Sequence, residues 1–278
     1  MKNILLPTDF SENSWNAISY AAHLFKNEEC TIHLLNTYQL AIYGAEYGVP
    51  NPSELMMMEA IKDASAMGLE RMGERIEKEF NNPKHTISKV SSFNTLTGAM
   101  AELHEEYGID YIVMGTKGAT GAKKVLFGSN TVHVLNKAKC PVLAIPDDFD
   151  FEEPLEILFP SDYHIAFEPR HIKPIYDIAF QYKSKIKSFH VYYDESLTEE
   201  QLDNRNAMER LFKRVKFEVH SEKNQKIPEA VGNFISKEEI NLLVMINNKH
   251  TFFENLFFKN KINEIGFQLS IPFLVIPS

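Results

Sequence analysis

The chain has 278 residues, and at about 150 residues per domain this length predicts two domains. Hydrophobic residues make up 44% and charged residues 24%, which excludes a disordered chain, and no apolar run is long enough for a transmembrane helix. The net charge of -9 argues against a nucleic-acid-binding protein, and the brief apolar N-terminus argues against a signal peptide. Because two cysteines cannot form a disulfide framework, we expect a cytoplasmic protein that contacts no membrane.

The first half of the chain predicts alternating strands and helices. The strands are short and apolar, and the helices place apolar residues at helical spacing. In chain order they are a strand over 3–8, a helix capped by Ser11, a strand over 30–37, a long helix over about 54–80, a strand near 85–92, a helix around 96–103, a buried strand over 110–115, a helix from Ser129 and a strand over 142–145. Such alternation with continuously apolar strands predicts a parallel sheet covered by helices on both faces.

The second half of the chain repeats this pattern. Three short segments recur, and they are residues 4–9 with 157–162, 110–115 with 241–246, and 141–146 with 272–277. The offset is 153 for the first pair and 131 for the other two, so the first half carries about 22 more residues between its first and third strands. The repeat predicts two copies of one fold, which we divide into residues 1–147 and 148–278.

Two segments between the predicted elements have more than one interpretation. Residues 39–60 hold the extra length and contain several Gly and Pro residues, so they form either a solvated loop or a flap over a ligand site or a domain contact. Residues 147–154 pack five acidic residues and a proline between two strands. Such a run is more often a solvated linker than a binding tail.

A glycine-rich segment follows the fourth strand. Its pattern is Gly115-x2-Gly118-x9-Gly128-Ser129, and a helix starts directly after it. Glycine lets an anion approach the backbone closely, and a helix N-terminus presents free N–H groups with the positive end of the helix dipole. Ser129 and Thr131 could add hydroxyl donors to phosphate oxygens, and the N–H groups of Gly115–Gly118 could form a second anion site. The alternative is a tight strand-to-helix connection that merely needs glycine.

The topology of open α/β sheets gives this segment a partner. Ligands bind where the strand order reverses, which for an order of 3-2-1-4-5 lies between strands 1 and 4. Asp9 at the end of strand 1 would then share a crevice with the glycines. A carboxylate repels phosphate but accepts hydrogen bonds from a base or a ribose hydroxyl. The alternative role for Asp9 is a helix N-cap just before Ser11.

Three motifs together resemble the universal stress protein family. They are Pro7-Thr8-Asp9, the spaced pattern Met114-Gly115-x2-Gly118-x9-Gly128-Ser129, and the closing strand at 141–146. The resemblance covers the first half fully and the second half in framework only. It implies two tandem, doubly wound, five-stranded parallel-sheet α/β domains of strand order 3-2-1-4-5. It also implies that the two domains pair with each other through their fifth strands as an intrachain pseudo-dimer, which leaves a further homodimer open.

The resemblance is to the ATP-binding branch of the family. In that branch the glycine motif holds the ribose and phosphates, the aspartate after strand 1 lies near the adenine, and the end of strand 2 contacts the base through backbone groups. It therefore implies ATP, with or without Mg²⁺, as the cofactor, bound by Pro7, Thr8, Asp9, Asn36, Thr37, Met114, Gly115, Gly118, Gly128, Ser129, Asn130 and Thr131.

The second half departs from this motif. At the offset of 131, every motif glycine carries a side chain, with Ile246 in place of Gly115, Lys249 in place of Gly118 and Lys259 in place of Gly128. Asp162 still matches Asp9, but a carboxylate alone cannot hold a triphosphate. We therefore expect the second half not to bind ATP in the family's mode.

The sequence favours a regulatory ATP-binding module of the stress response over two alternatives. A weak ATPase or nucleotidyl-transfer enzyme would need a catalytic group, and we find no candidate catalytic residue and no metal-ligating motif. A scaffold that binds no nucleotide would use the paired domains as an interaction surface. The sequence identifies no protein partner.

Overall fold

The computed structural model describes residues 1–39, 52–116, 128–147, 149–192, 196–247 and 270–278. Each predicted element of the first half is present. Its strands begin and end within about two residues of the predicted positions. The first half consists of β1 (Lys2–Pro7), α1 (Glu12–Leu24), β2 (Cys30–Thr37), α2 (Pro52–Phe80), β3 (His85–Ser92), α3 (Leu96–Tyr107), β4 (Tyr111–Gly115), α4 (Ser129–Lys137) and β5 (Val142–Ile145).

The second half repeats the same alternation. Its elements are β6 (Glu156–Pro160), α5 (Pro169–Tyr182), β7 (Lys185–Tyr192), α6 (Glu199–Leu211), β8 (Lys216–Lys223), α7 (Ile227–Lys237), β9 (Leu242–Asn247) and β10 (Phe273–Pro277). The proposed domain boundary at residue 147 falls between β5 and β6.

All ten strands form one sheet in the order β3-β2-β1-β4-β5-β10-β9-β6-β7-β8. Each half therefore has the predicted order 3-2-1-4-5, and its strands run parallel. The two halves join through antiparallel pairing of β5 with β10, where Leu143 lies opposite Leu274. The predicted pairing through the fifth strands is confirmed.

The hydrophobic core forms one cluster on each face of this sheet. Successive side chains of a strand point to opposite faces, so Leu143 and Ile145 belong to one cluster while Val142 and Ala144 belong to the other. Both clusters continue across the junction into β10. Because apolar burial at this junction is shared, packing stabilises the two halves together.

The connection between the halves exposes acidic residues, as predicted, but two aromatic residues anchor it to α1. Phe149 and Phe151 turn inward and contact Tyr20 of α1, with ring centroids 6.3 and 5.0 Å apart. His23 stacks on Phe151 at 5.0 Å. Asp150, Glu152 and Glu153 are exposed, in agreement with the prediction, whereas the two aromatic residues between them gain free energy by partial burial, which the sequence did not predict.

The segment predicted as an insertion is only partly described. Helix α2 begins at Pro52, and residues 40–51 lie outside the described residues. Residues 52–60, which we predicted as part of the insertion, belong to α2, so that part of the prediction was wrong. For residues 40–51 the loop and flap interpretations stay predictions.

Candidate functional site

A crevice forms at the carboxyl ends of β1 and β4, where the strand order of the first half reverses. Strand β1 pairs with β2 on one side and with β4 on the other, with Leu5 opposite Ile112. The chain leaves β1 into the N-terminus of α1 and later enters the N-terminus of α4 from the segment after β4. The N-termini of α1 and α4 therefore come after the carboxyl ends of β1 and β4, which is the edge at which ligands bind in this class of sheet.

A tight turn after β1 presents Asp9 to solvent. The Thr8 backbone N–H donates to the Leu35 carbonyl at 2.8 Å, which continues the sheet by one residue. The Thr8 hydroxyl is buried, accepts from the Phe10 N–H at 3.0 Å and shares a hydrogen bond with the Ser14 hydroxyl at 2.9 Å. Phe10 has a φ of 65°, so the chain reverses direction there. Pro7 ends the strand with its side chain buried.

The N-cap of α1 is Ser11, as predicted, and it is not Asp9. The Ser11 hydroxyl accepts from the Ser14 N–H at 3.2 Å. Asp9 Oδ1 accepts from the Ser11 N–H at 3.1 Å and from the Ser11 hydroxyl at 2.5 Å. Asp9 thus orients the cap while its carboxylate remains exposed at the crevice. The N-cap alternative for Asp9 was wrong by two residues.

The end of β2 is bound to this turn by a side chain. Asn36 Nδ2 donates to the Thr8 carbonyl at 2.8 Å. Asn36 and Thr37 are half-buried, and Thr37 pairs with Ser92 of β3. The contacts of their backbone groups with a base remain a prediction. The hydrogen bond from Asn36 to the Thr8 carbonyl was not predicted from the sequence.

Gly115 ends β4 at a position where any larger residue would displace the Asn13 side chain. A Cβ there would lie 2.8 Å from the side-chain nitrogen and oxygen of Asn13 in the first turn of α1. The preceding residue, Met114, is buried in the core. The glycine therefore brings β4 and α1 close together at the crevice.

The N-terminus of α4 is anchored to the end of β4. The Gly128 N–H donates to the Thr116 carbonyl at 2.7 Å. The Thr131 hydroxyl donates to the carbonyls of Gly115 at 3.0 Å and Thr116 at 3.2 Å. Thr131 is 2% exposed, so its hydroxyl fixes the backbone and does not have the phosphate-donor role that the sequence suggested. The reason is its place in the helix, on the face that packs against the sheet.

Ser129 and Asn130 are exposed in the first turn of α4. The first intrahelical bond of this helix runs from Val132 N–H to the Gly128 carbonyl at 3.1 Å, so the N–H groups before it have no acceptor within the helix. Gly128 is the N-cap and supplies no side chain. This end of α4 therefore offers N–H donors and the positive end of a dipole. Gly118, and with it the predicted second anion site, lies outside the described residues.

Sequence reasoning missed three residues that shape the crevice, namely Asn13, Ser14 and Thr116. Asn13 and Ser14 could have been suspected from their place in the first turn after the Ser11 cap. Nothing in the sequence marks Thr116, whose carbonyl holds both Gly128 and Thr131.

The second half reproduces the turn after its first strand. The Tyr163 N–H donates to the Ser161 hydroxyl at 3.0 Å and the His164 N–H donates to Asp162 Oδ1 at 3.1 Å. Tyr163 has a φ of 57°, close to that of Phe10. His190, which takes the place of Asn36, donates from Nδ1 to the Ser161 carbonyl at 2.8 Å.

The crevice of the second half is nevertheless filled by apolar side chains. Ile246 takes the place of Gly115 on β9, and Ile165 and Phe167 lie in a longer connection before α5. The pocket that remains is about 20 Å³, room for roughly one water molecule. It is lined by Phe159, Pro160, Ser161, Asp162, Ile165, Phe167, Met245 and Ile246.

A family model described as the universal stress protein family matches residues 1–146. The chain belongs to the universal stress protein family. A universal stress protein of Methanocaldococcus jannaschii is 28% identical over 152 residues, which cover 52% of this chain and 94% of that protein. Universal stress protein A homolog 2 of Coxiella burnetii is 30% identical over 149 residues, covering 52% of this chain and 94% of that protein.

The universal stress protein fold extends over both halves. The crystal structure of a universal stress protein from Archaeoglobus fulgidus covers 99% of this chain and 96% of its own, with a TM-score of 0.65 at 18% identity. At this identity the likeness shows the fold alone.

Two classes of feature are absent from the part of the chain that the structure describes. Within those ranges no three His, Cys, Asp or Glu side chains are grouped as a metal site would require. None of the helices described there combines the length and hydrophobicity needed to cross a membrane.

Proposed function

We propose that this universal stress protein is a regulatory, stress-response module that binds one ATP per chain, at the crevice of its first half. The observation that carries the proposal is the anchored start of α4. Bonds from Gly128 to Thr116 and from Thr131 to Gly115 hold a helix N-terminus open at the reversal of strand order. A phosphate chain fits this arrangement because its charge meets oriented N–H groups and a helix dipole.

The residues of the crevice also suit the rest of a nucleotide. Gly115 keeps the floor of the crevice free of a side chain, since a Cβ there would displace Asn13. The exposed carboxylate of Asp9 can accept hydrogen bonds from a ribose hydroxyl or an adenine amino group. Ser129 and Asn130 would hold the phosphates through backbone N–H groups and the Ser129 hydroxyl. Bound Mg²⁺ would neutralise phosphate charge, and no step of the proposal depends on it.

The regulatory part of the proposal concerns residues 117–127. Their flanking residues, Thr116 and Gly128, are joined by a 2.7 Å hydrogen bond at the crevice. Phosphates at this point would therefore bias the conformation of the segment and change the surface available to a protein partner. The two cysteines, Cys30 and Cys140, are buried and unpaired, which fits the proposed cytoplasmic location.

The second half supports a stoichiometry of one ATP per chain. Ile246 and Phe167 occupy the region that corresponds to the first crevice, and both are less than a tenth exposed. We therefore propose that the second half contributes an architectural partner for β5 and no nucleotide site.

Titration calorimetry of the full chain with Mg·ATP tests this function. We expect one site per chain in the wild type and none in Gly115→Ile, which gives the first crevice the residue found in the second. Ser270→Ala, distant in sequence from the crevice, is the matched control and should bind normally. A wild-type chain that binds no ATP, and releases no nucleotide on denaturation, would favour the scaffold. Slow phosphate release that disappears in Gly115→Ile would favour a weak ATPase.

A further inference from the structure

The N-terminal half of α2 is an exposed apolar helix. Met56, Met57 and Met67 are 72%, 58% and 55% exposed, and Leu55 is 47% exposed. The corresponding helix of the second half, α6, has 13 residues against 29 in α2. The fold is therefore complete without the additional turns. Exposed apolar surface of this kind marks an interaction site more often than a structural need.

Four of the exposed residues form a regular stripe. Met57, Ala60, Ala64 and Met67 follow one another at spacings of three and four residues, and all four are exposed. At about 100° per residue, this stripe lies roughly 140° around the helix from the buried stripe that includes Leu69 and Ile76. The stripe therefore points away from the body of the protein.

The stripe reads Met-Ala-Ala-Met with spacings of three, four and three residues in both chain directions. It is therefore complementary to an antiparallel second copy of itself. If two copies of α2 pack antiparallel about residue 62, Met57 lies opposite Met67 of the second copy and Ala60 lies opposite Ala64. The small central residues let the helices approach closely, and the large outer residues fill the diverging ends. Beyond them Arg71 lies opposite Ser53 of the second copy, and both residues are exposed. A twofold interface requires such self-complementarity.

We propose that the chain forms an antiparallel homodimer through this stripe of α2. The interface is small, because a stable one buries about 800 Å² per partner and a few turns of one helix face offer less. Each copy also carries a net charge of -9, and the twofold axis brings the two Asp63 side chains near each other. Dimerisation is therefore reversible and strengthens as salt screens this repulsion.

Sedimentation equilibrium of the full chain measures the association. Between about 1 and 200 μM protein we expect a reversible monomer–dimer equilibrium that tightens when salt is raised from about 0.05 to 0.5 M. Ala60→Glu should weaken it at least about tenfold, because two carboxylates would be buried at the seam. Ala66→Glu is the matched control, since Ala66 is also exposed on α2 but lies off the stripe. It should leave dimerisation unchanged, and thermal unfolding checks that both variants fold.

A charge swap tests the antiparallel geometry itself. Ala64→Lys alone should weaken the dimer, whereas Ala60→Glu and Ala64→Lys in one chain should restore it, because position 60 of each copy faces position 64 of the other.

A chain that stays monomeric throughout overturns the proposal, and so does a dimer that Ala60→Glu and Ala66→Glu affect equally. Binding to phosphatidylcholine vesicles that Ala60→Glu abolishes, with the chain monomeric, would assign the stripe to lipid. Weakening by salt would place the interface elsewhere.

Discussion

Asn13 occupies the space that a side chain on Gly115 would need. A Cβ at position 115 would lie 2.8 Å from the Asn13 Nδ2 and Oδ1 atoms, so the Asn13 side chain must shift before a larger residue fits there. This contact links the turn after β1 to the end of β4, and it sets the shape of the crevice between them.

Gly115→Ala is expected to destabilise the chain by about 1–3 kcal/mol, because Asn13 must move from a packed position. Asn13→Ala removes the opposing atoms, so Gly115→Ala should be milder in that background. Urea unfolding of the wild type, both single variants and the double variant measures the coupling energy. Additive effects, with no coupling between the two positions, would show that the contact does not limit position 115.

The fold and much of the crevice could be predicted from the sequence because their signals are local and repeated. Apolar strands recur at constant offsets, Ser11 marks the start of α1, and Gly128-Ser129 marks the start of α4. The inward turn of Phe149 and Phe151 was missed because it depends on contacts with Tyr20, more than 120 residues away. The role of Thr131 was missed for a similar reason, since sequence spacing does not show which face of a helix packs on the sheet.

Asn36→Ala should weaken both the fold and nucleotide binding. The substitution removes the donor at 2.8 Å from the Thr8 carbonyl, and an unpaired, partly buried carbonyl costs about 1–3 kcal/mol. The turn that presents Asp9 should then loosen, so the affinity for ATP should fall. Calorimetric titration and urea unfolding measure the two effects.

The second half offers a matched control for Asn36. His190 makes the corresponding bond to the Ser161 carbonyl at 2.8 Å. His190→Ala should therefore destabilise the chain to a similar extent and leave ATP affinity unchanged. If both variants lowered ATP affinity equally, general loosening of the fold would explain the loss, and the specific role of Asn36 would be refuted.

Thr131→Val tests whether the hydroxyl of Thr131 anchors α4. The change keeps the shape of the buried side chain but leaves the carbonyls of Gly115 and Thr116 without this donor, which should cost about 1–3 kcal/mol. Thr131→Ser keeps the donor and should recover ATP affinity even where the lost methyl lowers stability. Loss of affinity in both variants to the same degree would indicate that packing of the methyl group, and not the hydrogen bonds, positions the helix.

The stability of the chain should fall in mild acid, and His33 should account for part of the fall. Burial lowers the pKa of His33 below its usual range, and the nearby charge of Glu106 offsets only part of this effect. The unfolded chain therefore binds more protons than the folded chain once the pH drops below about 6.5, and the unfolding free energy decreases from there downward.

His33→Gln should flatten this pH dependence, because glutamine does not titrate and can still donate to Asn3 Oδ1, which lies 3.2 Å from His33 Nε2. Urea unfolding at about pH 7.5 and pH 5.5 gives the slope for each protein. His133→Gln, on the exposed face of α4, is the control and should retain the slope of the wild type. An unchanged slope in His33→Gln would mean that His33 is not among the groups whose protonation unfolds the chain, and His171, whose pKa burial also lowers, would be the next to substitute.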